Sequence, residues 1–211
     1  MESKIYVFDM DDTLVDSHLR YTEGILQVLD EEGISYDADT LIPILNPLGF
    51  PKSAAYYSRL GVPGTPKEIV ERMLDTMQRL YETRVPLFDG VLPYLEKRKA
   101  EGARLFLLTA TPHRVSDACL RANGIFDFFE QVWCTEDFGY TKGDTALFLK
   151  MAEAIGCEPK DVLYFDDGVT AIRTARGAGM RTCGVLTPLA VESEGLTEAA
   201  DTCIVSFKEL L

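Results

Sequence analysis

Short apolar runs recur along this chain, each closing on polar residues: Ile5 to Phe8, Leu105 to Leu108, Val132 to Cys134, Val162 to Phe165, and Thr182 to Leu186. A strand covered on one face alternates apolar and polar residues, whereas unbroken runs fit strands covered on both faces, as in a parallel sheet. A sixth run, Cys203 to Phe207, is a weaker strand candidate. Helical stretches lie between the runs. Asp144 to Ile155 repeats apolar residues at Leu147, Phe148, Met151 and Ile155 and closes on Gly156, a helix with a glycine stop. Strand and helix alternate, which predicts an α/β fold with a doubly wound parallel sheet.

One segment breaks the alternation. Residues 17–84 carry helical periodicity and no convincing strand, so the pattern predicts a helical domain inserted between 1–16 and 85–211. Its clearest helix opens with Thr65-Pro66-Lys67-Glu68: a cap residue, proline at the first helical position, and a glutamate placed to complete a capping box. Ile69, Val70, Met73, Leu74, Met77, Leu80 and Tyr81 then form one stripe, read as the core of the insertion.

The chain has 211 residues and a net charge of -13, from 21 Lys and Arg against 34 Asp and Glu. Such a field repels nucleic acid and anionic lipid, so neither is an expected partner. No apolar run approaches a membrane span, and Met1 is followed within a few residues by a predicted strand rather than a signal peptide, so a cytoplasmic protein is expected, monomeric or a small homo-oligomer. The five cysteines (Cys119, Cys134, Cys157, Cys183 and Cys203) form no CxxC pair and are read as reduced, buried, small apolar residues. Trp133 and Cys134 are read as core, and Gly177-Ala178-Gly179 is too short for a dinucleotide fingerprint.

The chemistry gathers where predicted strands end. The first run ends in Asp9-Met10-Asp11-Asp12-Thr13, and the fourth delivers Asp166 and Asp167. Open α/β sheets bind ligands at the carboxyl ends of their strands. Carboxylates converging there repel one another, by about 4 kcal/mol for a close pair at an effective dielectric near about 20. A hard divalent cation with oxygen ligands, Mg²⁺ foremost, supplies the missing counter-charge.

Asp9-Met10-Asp11-Asp12-Thr13 resembles the first motif, Asp-x-Asp-x-Thr, of the haloacid dehalogenase superfamily. Thr109 resembles the second motif, Lys142 the third, and Asp166 with Asp167 the fourth, in the family's order and over nearly the whole chain. The resemblance implies a Rossmann-like core with an inserted α-helical C1 cap, as in phosphoglycolate phosphatases and β-phosphoglucomutases. It also implies a Mg²⁺-dependent phosphohydrolase acting on a small phosphorylated metabolite. Asp9 would be the nucleophile that becomes an aspartyl phosphate, and Asp11 the acid and then base. Thr109 and Lys142 would bind the phosphoryl group, with the backbone at Met10, Asp11 and Ala110. The metal would rest on Asp9, the Asp11 carbonyl, Asp166 and Asp167. Leu48-Gly49-Phe50-Pro51-Lys52 resembles the cap loop that reaches the substrate, making Gly49 and Lys52 its candidate contacts.

The pattern departs from the family at four places: Asp12 for a common glycine, Gly143 for a proline, Gly168 for a serine, and Ala171 for a later acid. His18 and His113 lie close to the first and second motifs and are read as peripheral. A phosphosugar mutase is the second enzyme reading. A non-catalytic binding protein on the same scaffold is a third, opposed by the retained acids and lysine.

Overall fold

The computed structural model describes residues 4–45, 49–187 and 195–211, the side chains of 42–45 excepted. In chain order the elements run β1 (Ile5–Phe8), α1 (His18–Glu31), α2 (Ala38–Leu45), α3 (Phe50–Leu60), α4 (Pro66–Arg84), α5 (Val91–Ala100), β2 (Arg104–Thr109) and α6 (His113–Ala122). There follow β3 (Gln131–Cys134), α7 (Thr135–Phe138), α8 (Thr145–Ile155), β4 (Val162–Asp166), α9 (Val169–Gly177), β5 (Arg181–Val185), α10 (Leu196–Ala199) and β6 (Thr202–Ile204). The chain divides into two units, Met1–Asp16 with Pro86–Leu211, and Ser17–Val85.

The first unit holds one parallel sheet in the order β3-β2-β1-β4-β5-β6. This is the doubly wound Rossmann-like order, whose direction of winding reverses between β1 and β4. The unbroken apolar runs follow from cover on both faces. On one side Val7, Leu108 and Tyr164 pack with Leu147, Phe148 and Met151 of α8 and Ile172 of α9. On the other, Tyr6, Phe8 and Phe165 meet Tyr94 of α5 and Phe207; the Phe8 and Phe165 rings stack at 4.9 Å. Full burial of one such side chain contributes about 1.5–3 kcal/mol.

The two edge strands differ from the sequence expectation. β3 alternates, with Gln131 exposed and Trp133 half-buried, because only one side has a neighbouring strand. Trp133 stacks on Phe106 at 5.5 Å. β6 is shorter than the run that predicted it, and Phe207 lies instead in the 3-10 turn Phe207–Leu210. Glu209 accepts from the Val205 and Ser206 N–H groups at 2.8 and 3.0 Å, which draws the chain out of the strand. Cys157 and Cys203 are half-buried rather than buried, and all five cysteines are free.

In the second unit α4 packs against α1 and α3. The Thr65–Glu68 capping box forms in both directions, and of the predicted stripe Ile69, Met73, Met77, Leu80 and Tyr81 are buried while Val70 and Leu74 are half-buried. Gly24 permits the close approach of α1 to α4, since a Cβ there would stand 2.2 Å from the Met77 sulfur. Among the described residues no helix is long and apolar enough to cross a membrane.

Candidate active site

Register brings the motif residues to one edge of the sheet. Phe8 pairs with Leu107 and with Phe165, so Asp9, Thr109 and Asp166 all emerge at the carboxyl ends of neighbouring strands. Asp9 extends the ladder by one bond, donating its N–H to the Phe165 carbonyl at 2.9 Å. These strands flank the point where the winding reverses, the place where open sheets form a ligand crevice.

Carboxylate oxygens of Asp9, Asp166 and Asp167 all lie within 4.8 Å of one another. Lys142 enters this group, its ammonium donating to Asp9 and, at 2.8 Å, to Asp166. Asp166 also accepts from the Tyr164 hydroxyl and from the Gly168 N–H at 2.7 Å. Thr13 donates to Asp167 at 3.4 Å. Burial pushes the Asp9 carboxyl well above the usual range; Lys142 opposes that shift, and Asp166 and Asp11 add to it. Burial likewise raises Asp167, helped by Asp166 and Asp9. Burial alone would weaken the Lys142 ammonium, but Asp166 and Asp9 outweigh it and hold the lysine charged. The cluster therefore holds more acids than one lysine can neutralise once they ionise, and its donors are hard oxygens, a set that fits Mg²⁺.

The Asp11 side chain is not grouped with the oxygens of Asp9, Asp166 and Asp167 and has hydroxyl partners of its own. Its Oδ2 accepts from Thr111 at 2.7 Å and from Thr109 at 3.5 Å. Facing one way two residues apart is a property of strands, and the chain has left the strand by Asp11: the N–H groups of Leu14 and Val15 both turn back to the Met10 carbonyl. Two neighbouring acids thus have different partners.

The departures from the family pattern have local explanations. Asp12 has φ of 51°, the left-handed region where glycine is at ease and aspartate is among the better tolerated alternatives. The turn that carries Lys142 lacks a proline, yet Asp144 fixes it by accepting from the Thr141 N–H and hydroxyl at 2.8 and 2.7 Å. A Cβ at Gly168 would stand 3.0 Å from Asp166 Oδ1, so glycine leaves room for the N–H bond to that oxygen. Ala171 is buried with the α9 side of the core.

Ala110 is exposed just beyond β2, and Met10 is buried in the turn after β1. Gly49 caps α3 with φ of 73°, and exposed Lys52 lies in the first turn of that helix. Leu48 falls outside the described residues. His18 opens α1 in the helical unit, whereas His113 sits between Asp117 and Asp137 on the surface of the sheet unit. Thr111 and Tyr164 were not singled out from the sequence. Tyr164 had a signal: it lies two residues before Asp166 in a strand, hence on the same face, and a buried hydroxyl needs a partner.

Residues 6–185 match the family model described as haloacid dehalogenase-like hydrolase. The chain belongs to this family. Among haloacid dehalogenase-like hydrolases it is 27% identical to the phosphorylated carbohydrates phosphatase of Thermotoga maritima, over 97% of this chain and 95% of that one. It is 26% identical to hexitol phosphatase B of Escherichia coli strain K12, over 97% and 92%. The crystal structure of CbbY from Rhodobacter sphaeroides in complex with phosphate shares the fold, with a TM-score of 0.84 at 20% identity, covering 99% of this chain and 96% of that one.

Proposed function

We propose that this hydrolase is a Mg²⁺-dependent phosphatase that cleaves a small phosphate monoester, a phosphorylated sugar or sugar alcohol, through an aspartyl phosphate on Asp9. The observation that carries the reading is the division of labour between two acids. Asp9 sits against Lys142 in the buried acidic cluster, while Asp11 is turned to Thr109 and Thr111. The substrate class rests on the full-length likeness to relatives named for phosphorylated carbohydrates and hexitols.

In this reading an Asp9 carboxylate oxygen attacks phosphorus, and the ester oxygen leaves with a proton from Asp11. Water then attacks the aspartyl phosphate, gives its proton to Asp11, and releases inorganic phosphate with Asp9 regenerated. Lys142 favours the ionised form of Asp9 against the pull of burial and neutralises charge on the phosphoryl oxygens, the largest demand phosphoryl transfer makes on a protein. Thr109 offers its hydroxyl to the phosphoryl group, and the backbone at Met10, Asp11 and Ala110 offers N–H groups. Asp9, Asp167 and the Asp11 carbonyl would hold Mg²⁺; Asp166 already accepts three donors, so it serves mainly to steer Lys142 and the cluster. When bound, Mg²⁺ withdraws charge from the phosphoryl oxygens. Residues 17–84 act as the cap. Lys52, an exposed cation in the first turn of α3, is the candidate on that unit for a substrate anion.

The test is a panel of phosphorylated sugars and sugar alcohols assayed for phosphate release with and without Mg²⁺, on the parent chain and on Asp9→Asn. Turnover that needs Mg²⁺ and falls at least about 10³-fold in the folded variant is expected. Near-normal activity of Asp9→Asn would remove the covalent mechanism, and isomerisation without phosphate release would turn the reading to a mutase.

A further inference from the structure

Away from the acidic cluster, three chemically different ligating side chains meet. His113 opens α6, Cys134 ends β3, and Asp137 lies in α7. One ligating atom of each lies within 4.8 Å of the others. The His113 Nε2 is 2.9 Å from Asp137 Oδ2, and that oxygen also accepts the Cys134 N–H at 2.8 Å. Cys134-Thr135-Glu136-Asp137 brings thiol and carboxylate to one point with a two-residue spacer, across a strand-to-helix corner that fixes both.

We propose that His113, Cys134 and Asp137 form a second cation site, for a borderline divalent ion of the Zn²⁺ or Co²⁺ type. Donor chemistry chooses the ion: imidazole and thiolate favour such metals, whereas Mg²⁺ requires oxygen donors. Size is within reach. Zn²⁺ bonds of about 2.0–2.3 Å put tetrahedral ligand atoms about 3.3–3.7 Å apart, so the His113–Asp137 pair at 2.9 Å opens slightly to admit the ion. Three protein ligands leave a fourth position for water.

The environment of His113 is a separate observation in favour. Its Nδ1 is 3.2 Å from Asp117 Oδ1, one helical turn further along α6. A carboxylate on one ring nitrogen fixes the orientation of the ring and strengthens the other nitrogen as a ligand, the arrangement found behind metal-binding histidines. His113 and Asp137 are exposed, so an ion has an approach from solvent, while the sulfur forms the buried wall. Binding balances in protons: the Cys134 thiol gives up its hydrogen to solvent as the sulfur–metal bond forms, and Nε2 gives up any hydrogen shared with Asp137. The thiol now donates to the Thr111 carbonyl at 3.0 Å, and that bond is lost on binding.

Co²⁺ added to the full-length chain in excess Mg²⁺ gives a direct test, because thiolate bound to Co²⁺ has a near-ultraviolet charge-transfer band that carboxylates cannot produce. A band that saturates at one equivalent is expected. It should vanish in Cys134→Ser, weaken in the surface variants His113→Ala and Asp137→Asn, and persist in Asp9→Asn. Asp117→Asn should weaken Co²⁺ binding by about 10–100-fold while leaving the band's shape. No thiolate band at millimolar Co²⁺, or one that survives Cys134→Ser, overturns the site.

Discussion

The Thr111 hydroxyl donates to Oδ2 of Asp11 at 2.7 Å, closer than Thr109, whose hydroxyl is 3.5 Å from the same oxygen. Asp11 is therefore oriented chiefly by a residue beyond the end of β2, and the proposed proton carrier depends on it. A hydrogen bond to a charged group contributes about 1.5–3 kcal/mol, which corresponds to about 10–100-fold in rate if it is used in the transition state. Thr111→Val should lower kcat by about that factor with a smaller change in KM, and Thr111→Ser should restore most of it. Steady-state kinetics on the best substrate of the panel checks this; equal losses in the valine and serine variants would argue against an orienting role for the hydroxyl.

Lys142 is the cation at the centre of Asp9, Asp166 and Asp167, and its side chain is 16% exposed. Removing one partner of a buried charge network costs about 3–5 kcal/mol because the remaining charges lose their compensation. Lys142→Met should show that loss by denaturant unfolding at neutral pH without metal. If the acids also hold Mg²⁺, adding it should return part of the stability to the variant, since an ion that binds only the folded state stabilises it. A variant whose midpoint ignores Mg²⁺ would separate the lysine cluster from the metal.

Much of this arrangement is legible in the sequence, and the reasons differ by element. β1 and β4 read clearly because both faces are covered, leaving nothing polar in their runs until Asp9 and Asp166. β6 reads poorly because Ser206 and Glu209 form a cap only in the folded chain. The direction of the Asp11 side chain was not readable from strand alternation, since the turn over Met10 to Val15 interrupts it. Thr111 and Asp11 are 100 positions apart, so no local pattern announces their pairing.

Asp12 is the described non-glycine residue at positive φ. Left-handed backbone costs most L-residues about 1–2 kcal/mol, and aspartate less. Glycine removes that strain but adds freedom to the unfolded chain worth about 0.4–1 kcal/mol. Asp12→Gly should therefore stay within about 1 kcal/mol of the parent, whereas Asp12→Ala should be the less stable of the two. The charge is a separate matter, since Asp12 adds to the field that raises Asp167. Taking it away should lower KM for an anionic ester by about threefold in both Asp12→Gly and Asp12→Asn, on the scale of one like-charge interaction of about 1 kcal/mol or less. If only the glycine variant lowers KM, backbone shape and not charge is responsible.

His113 gives a pH dependence with a definite sign. Partial burial pulls its pKa down, but the hydrogen bonds and charges of Asp137 and Asp117 outweigh that and hold the imidazolium above its ordinary 6.5. Asp117 faces the ring from α6 and Asp137 from α7, with the Cys134 thiol beside them. A group whose pKa is raised on folding binds protons more tightly in the folded state. Its stabilising contribution is complete below the unfolded value of about 6.5 and is lost as pH rises through the higher folded value. The side chain is 45% exposed, so solvent screening keeps the effect small. With chelator present, the Tm gap between the parent and His113→Gln should be larger at about pH 6 than at about pH 9. A gap that widens toward high pH would mean the neutral ring, not the imidazolium, is the form these two aspartates favour.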